Sequence, residues 1–173
     1  MSVSLHSVVV GGYLQTLPQL AVLVEKAEAH CREKGLPDEA LAGAKLAADM
    51  WDFAKQVFEC GHHSARAIEG VRAGVFGPEL EPAPRDFASL RSQIEDSLAL
   101  VQAVAPGELD EIAGRDMRFE FGTIRMDFTV ADFLLSFSLP NFYFHATTAY
   151  DILRNQGVAI GKRDFLGKPR LKG

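Results

Sequence analysis

Asn141 and His145 stand four residues apart, so on a helix their side chains lie one above the other on a single face. Leu134, Ser138, Thr148 and Ile152 fall on or near the same stripe. Upstream, Asp49 and Gln56 are two helical turns apart and also share a face. If the two faces meet across a helical bundle, an imidazole, a carboxylate and two amides converge in an apolar core. Bundle interiors are a usual place for metal and cofactor sites. Imidazole and carboxylate together suit a divalent transition metal such as zinc, nickel or iron. Asp49, Asn141 and His145 are therefore candidate metal ligands, with Gln56 as a further one. A structural reading competes with this one. A single inward His can be satisfied by a hydrogen bond, here donated to Asp49, and Asn141 can repair backbone that Pro140 disrupts. One His with one carboxylate is also a thin ligand set.

Phe53, Cys60 and His63 continue the stripe of Asp49 and Gln56, and with Tyr150 they are candidates to line a ligand pocket. Trp51 is a further aromatic of this kind, although aromatics at helical spacing are mostly core. A nearby imidazolium would lower a thiol pKa, so Cys60 and His63 allow a nucleophilic pair. The alternative is a packed small hydrophobe beside a buried ring, which is the usual state of a free Cys. His62 and His63 point about 100° apart on a helix, which makes joint chelation awkward. Gly161-Lys162 lacks the spacing and the hydroxyl of a phosphate loop.

Bulk properties narrow the classes. The chain has 173 residues, of which 47% are hydrophobic and 24% charged. One domain of that size buries roughly 70% of the surface of its unfolded chain and needs no staples. A formal net charge of −5 argues against a general nucleic-acid binder. The two cysteines, Cys31 and Cys60, form neither a disulfide framework nor a CxxC pair, so the expected compartment is the reducing cytoplasm. Residues 1–24 carry no Asp, Glu, Lys or Arg, but His6, Gly11, Gly12, Gln15 and Pro18 interrupt the run that a signal peptide needs. Residues 133–150 are long enough to span a bilayer, yet Ser136, Ser138, Asn141 and His145 make them too polar for an isolated membrane helix.

The elements that must position the site follow from periodicity. Tyr13, Leu17, Leu20, Val24, Ala27 and Cys31 recur at spacings of four and three, the seam of a bundle helix over residues 4–32. Pro18 lies inside it, and Gly35 followed by Pro37 stops it. Asp38 reads as the N-cap of a long second helix reaching Arg72, with the seam Leu46, Asp49, Phe53, Gln56, Cys60, His63 and Ala67. Residues 74–85 are loop. Asp86 caps a third helix to Val104, with Leu90, Ile94, Leu98 and Val101 inward. Residues 115–128 alternate in period two around Gly122-Thr123 and read as a β-hairpin. A lone hairpin is marginal, so its apolar face must cover the bundle or a partner chain. Thr129 caps a fourth helix to Gln156, and a basic tail, 157–173, follows.

Four segments together carry a family resemblance: Leu46-Ala47-Ala48-Asp49-Met50, the run Leu139 to His145, the run Thr147 to Arg154, and Gly157 to Gly167. They resemble an uncharacterised bacterial domain family within the DinB/YfiT-like group of metalloenzyme-type proteins. The resemblance implies a mainly all-α fold, an up-down-down-up four-helix bundle, with a small hairpin inserted before the last helix and one domain over residues 1–173. It also implies a homodimer, and a metal site built from one His on the second helix and a His-x3-His pair on the last. By position Asp49 matches the second-helix ligand, and Asn141 and His145 match the pair, so the implied site is degenerate. Two functions follow as expectations. One is a divalent-metal-dependent hydrolase or thiol-dependent transferase. The other is a non-catalytic dimeric small-molecule-binding or scaffold protein in which the Asp49/His145 region is structural. Neither nucleic acid nor membrane is an expected partner.

Overall fold

The computed structural model describes residues 3–172. Helix α1, Leu5–Lys34, starts where the Ser4 hydroxyl accepts the Ser7 amide at 3.1 Å. All six seam residues foreseen on it are buried. It ends at Gly35, whose φ of 65° only glycine adopts without strain. By length and composition α1 could cross a membrane, and half of its most apolar window is buried inside the bundle.

The long second helix expected from Asp38 to Arg72 is not continuous. A one-turn helix, α2 (Glu39–Ala42), gives way to irregular chain, and helix resumes only at α3, Phe53–Gly61. The true cap is Asp52. Its carboxylate accepts the Lys55 amide at 3.0 Å and meets Arg85 at 2.9 Å. Asp38 instead turns its carboxylate to the Phe87 amide. The intervening segment closes on itself, with the Phe53 amide on the Ala44 carbonyl at 2.8 Å. Asp52→Ala should therefore cost about 1–2 kcal/mol, read in chemical denaturation, with Asp52→Asn keeping most of the stability.

From Gly61 the helix widens into a π segment, His62–Arg66, before α4, Ala67–Ala73. Single π turns occur often at functional sites because they re-aim side chains. Hydroxyls satisfy carbonyls in this region: Ser64 donates to Cys60 at 2.6 Å and Ser138 to His63 at 2.8 Å. Strand β1, Val75–Phe76, follows, and α5, Phe87–Gln102, is capped by Asp86 as expected. A short helix, α6 (Glu108–Ile112), precedes β2 (Asp116–Phe121) and β3 (Ile124–Thr129). The hairpin turns at Gly122, with Phe119 opposite Met126 and Phe121 opposite Ile124. It is extended by β1, parallel to β2, so the sheet has three strands where two were expected.

Thr129 caps α7, Val130–Asp132, through the Asp132 amide at 3.1 Å. A second π segment, Phe133–Ser138, leads into α8, Leu139–Asn155. The basic tail contains α9, Lys162–Leu166, held on α1 by Lys26–Asp164 at 2.7 Å. In the bundle α1 packs along α5, and α3 along α8. The sheet covers the second π segment: Phe119 and Phe128 each pack on Phe137, at 5.1 and 5.9 Å between centroids. The hairpin's apolar face thus seats on the bundle itself, while Phe121 and Ile124 stay exposed at its tip.

Candidate metal centre

Where α3 crosses α8, three buried side chains converge. Glu59 and His63 lie on successive turns at the end of α3 and in the first π segment, and His145 faces them from α8. Glu59 is 4% exposed, His63 7% and His145 4%. One donor atom from each falls within 4.8 Å of the others. Among the described residues this is the group of His, Cys, Asp and Glu donors that can close on one ion.

The protonation of His145 can be read from its partners. The Gln56 Nε2 donates to the Trp51 carbonyl at 3.2 Å, which fixes the orientation of that amide. Its Oε1 then faces His145 Nδ1 at 2.7 Å, and an amide oxygen only accepts. The His145 proton therefore sits on Nδ1, and Nε2 keeps its lone pair. Burial, followed by the positive charge of Lys55, pushes the His145 pKa down to about 4.

His63 is neutral as well. Burial, then His62, then His145 push its pKa down to about 3. Its Nε2 lies 3.8 Å from Glu59 Oε2, outside hydrogen-bond reach, so an uncharged ring and a carboxylate face each other without an ion pair. Its Nδ1 is buried with no hydrogen-bond partner. Glu59 is held by Lys55, Nζ to Oε1 at 2.7 Å, and Lys55 in turn sits over the Trp51 and Phe58 rings. Aromatic rings wall the site: Phe76 and Phe137 lie 5.7 and 5.9 Å from His63, and Trp51 stacks on His145 at 5.6 Å. The donor set fits a divalent ion. A buried carboxylate, an imidazole with its lone pair free, and a second imidazole with an unmet nitrogen are what such an ion would satisfy.

The residues singled out from sequence are distributed unevenly around this centre. His145 and His63 stand in it, and Gln56 bonds the first. Asp49 lies on the exposed loop between α2 and α3, where it lines a shallow recess with Met50, Trp51, Gln56, Phe144 and His145. It does not project from a helix, because no helix exists there. The Asn141 amide donates to the Phe137 carbonyl at 2.7 Å, one turn back in the disturbed stretch beside Pro140. Phe53 is wholly buried core. Tyr150 packs on Phe165, 5.9 Å away. The Cys60 thiol donates to the Gln56 carbonyl at 3.3 Å, and burial raises its pKa well above that of a free thiol, the opposite of an activated nucleophile. Sequence reasoning passes over Glu59. Its signal was the four-residue spacing to His63, the same spacing that draws attention to Asn141 and His145.

A mainly helical bundle with a small three-stranded sheet against it is a DinB-like fold. The chain is similar to a DinB family member protein from Shewanella denitrificans. The two are 26% identical, with a TM-score of 0.80 over 98% of this chain and 95% of that one. Within that class the chain belongs to the family described as a domain of unknown function, DUF1993, which matches residues 5–166. No curated protein matches it.

Proposed function

We propose that this chain is a divalent-metal-dependent enzyme of hydrolase or thiol-dependent transferase type, with the ion held by Glu59, His63 and His145. The convergence of three buried donors within 4.8 Å carries this reading. Two imidazoles and one carboxylate are the three-ligand set of catalytic sites, which keep a coordination position for substrate. Such an ion supplies Lewis-acid chemistry, polarising a carbonyl or lowering the pKa of a water or thiol. The protein's own contributions are separate from this. Gln56 keeps the His145 proton on Nδ1, as partners of metal-bound histidines do. The aromatic rings beside it lower the local polarity, which strengthens the charge interactions there. The recess beside Trp51 and Phe144 gives a small molecule access to His145. With Cys60 buried and its pKa raised, any thiol must arrive with the substrate. Untagged protein purified without chelators should carry near one divalent ion per chain by mass spectrometry. Protein that is metal-free and takes up neither zinc, nickel nor iron(II) overturns the reading.

The reading includes a cytoplasmic homodimer. Two free cysteines support the reducing compartment. Exposed Phe121 and Ile124, paired at the hairpin tip, offer an apolar contact for a second copy. Light scattering that stays at 18.9 kDa across a concentration series removes the dimer.

One observation favours a non-catalytic alternative. The His145–Gln56 bond joins α8 to α3 as a buried polar couple, which needs no ion to be useful. On that reading His145→Ala costs about 1–3 kcal/mol whether or not zinc is present. On the enzyme reading wild-type protein gains stability with added zinc and the variant gains none. Thermal unfolding with and without zinc separates the two.

A further inference from the structure

The hairpin leaves one strand edge open. Strand β3 pairs with β2 along its inner side. Among the described residues no strand pairs with its outer side, and no helix packs along it beyond α7, which follows it directly in the chain. The two-residue turn Gly122-Thr123 makes Phe121 and Ile124 the closing pair, which exchanges both backbone bonds. Alternation then aims the backbone of Ile124, Met126 and Phe128 at β2, and that of Arg125, Asp127 and Thr129 outward. The same alternation on β2 aims the Arg118 amide away from β3, and that amide does bond the Gly74 carbonyl, at 3.1 Å. The outward amides and carbonyls of Arg125 and Asp127 have no backbone partner among the described residues.

An open edge invites pairing, and charged side chains are a usual defence against it. Here the charges have both signs, two residues apart. Across the β2–β3 ladder Glu120 faces Arg125 and Arg118 faces Asp127, with Arg118 Nε 3.1 Å from the Asp127 carboxylate. A second β3 running antiparallel can repeat that pattern on the outer side. Outward-aimed residues must meet outward-aimed residues, so odd-numbered positions face odd-numbered ones. Centred on Arg125 or on Asp127, a two-fold pairing sets two arginines or two aspartates directly opposite, which is unfavourable. Centred on Phe128, it sets Asp127 opposite Thr129 and carries Arg125 past the end of the other strand. Centred on Met126, it sets Arg125 of each copy opposite Asp127 of the other. Ile124 then meets Phe128 on the apolar face, and the two Met126 side chains meet on the axis.

We propose that two copies of this chain join edge to edge through β3, antiparallel and centred on Met126, into one six-stranded sheet. The inference rests on the homodimer proposed above and names its contact. The patch complements itself, as a two-fold interface requires. Each Arg125 stands between Glu120 of its own chain and Asp127 of the other copy. Each Asp127 stands between two arginines in the same way.

Cross-linking of the full chain tests the register. At a pair that exchanges no backbone bonds the Cα atoms lie about 4.5 Å apart, within disulfide reach. Met126→Cys treated with oxidised glutathione should therefore run as a covalent dimer, while Ile124→Cys, four residues out of register with its copy, should not. Cys31 and Cys60 are buried and do not compete. Charge reversal tests the pairing without a cross-link. Asp127→Arg and Arg125→Asp should each weaken self-association by about tenfold or more, because each sets like charges opposite at two places. Mixed in equal amounts, the two variants should associate as a heterodimer by native mass spectrometry, since every opposed pair is then of opposite sign; that recovery also shows that both are folded. A wild-type dimer by light scattering whose Met126→Cys variant does not cross-link overturns the β3 contact and leaves the homodimer standing. Equal cross-linking at Ile124→Cys, or a mixture that stays monomeric beside a dimeric wild type, overturns it too. A wild-type chain that is monomeric throughout a concentration series overturns both.

Discussion

Replacing His63 or His145 by alanine should lower zinc affinity more than any other single change in the bundle, by well over about 100-fold. Each variant removes one of three protein donors and leaves two that cannot hold an ion against water. Gln56→Leu should weaken binding by about 10- to 100-fold, the usual loss when the partner that orients a metal-bound His is removed. The reason lies in the tautomer. Without the Gln56 oxygen at 2.7 Å, the His145 proton is free to move to Nε2 and occupy the lone pair that Gln56 otherwise keeps free for an ion. Glu59→Gln should fall between these, since an amide oxygen is a weaker donor to zinc and Lys55 loses its counter-charge. Asn141→Ala and Asp49→Ala should change affinity little: the first side chain is engaged by the Phe137 carbonyl, and the second lies at the rim of the recess. Competition titrations against a chromophoric chelator measure all six. Loss of binding in Asp49→Ala with retention in Glu59→Gln would return the site to the ligand set read from sequence.

That contrast shows what the sequence carried and what it withheld. The seam of α1 was legible because one uninterrupted helix of 30 residues keeps one phase, and each of its seam residues is buried. The caps Asp86 and Thr129 were legible because capping is local chemistry. The stretch Leu41 to Met50 was not. Its Ala and Leu content reads as helix by propensity, and nothing local announces that Asp52 outcompetes Asp38 as the cap once Arg85 is brought to it. Asp49 was placed on a helix that does not exist there. The π segments withheld more. Each widened turn shifts the helix phase, so a seam extrapolated at 3.6 residues per turn drifts as it crosses His62–Arg66 or Phe133–Ser138. His145 lies beyond one of these offsets and His63 within the other, and their meeting with Glu59 is a tertiary fact. Strand β1, at two residues, is too short for any periodicity to reveal.

Metal-stripped protein should lose stability steeply as the pH falls below about 6.5. In the unfolded chain both His63 and His145 take up a proton near that pH. In the folded protein burial holds the His63 pKa down to about 3 and that of His145 to about 4. Between those values the unfolded state binds more protons than the folded state, so stability rises with pH across that window. Each ring contributes a slope of about 1.4 kcal/mol per pH unit. The stabilisation is fully present above pH 6.5, where both rings are neutral in both states, and it fades as the pH falls toward 4. His62, whose pKa burial also lowers, acts in the same direction. His63→Gln removes one ring and should flatten the slope by about its share. Zinc bound as proposed would compete with protons for the same lone pairs, so any stabilisation it adds should shrink over the same range. Urea denaturation at intervals from pH 4 to 7 reads the slope directly. A stability that is flat across that range, or that rises on acidification, would mean that these rings are hydrated and charged in the folded protein, and a hydrated, charged cluster cannot be the dry, neutral donor set that the metal centre requires.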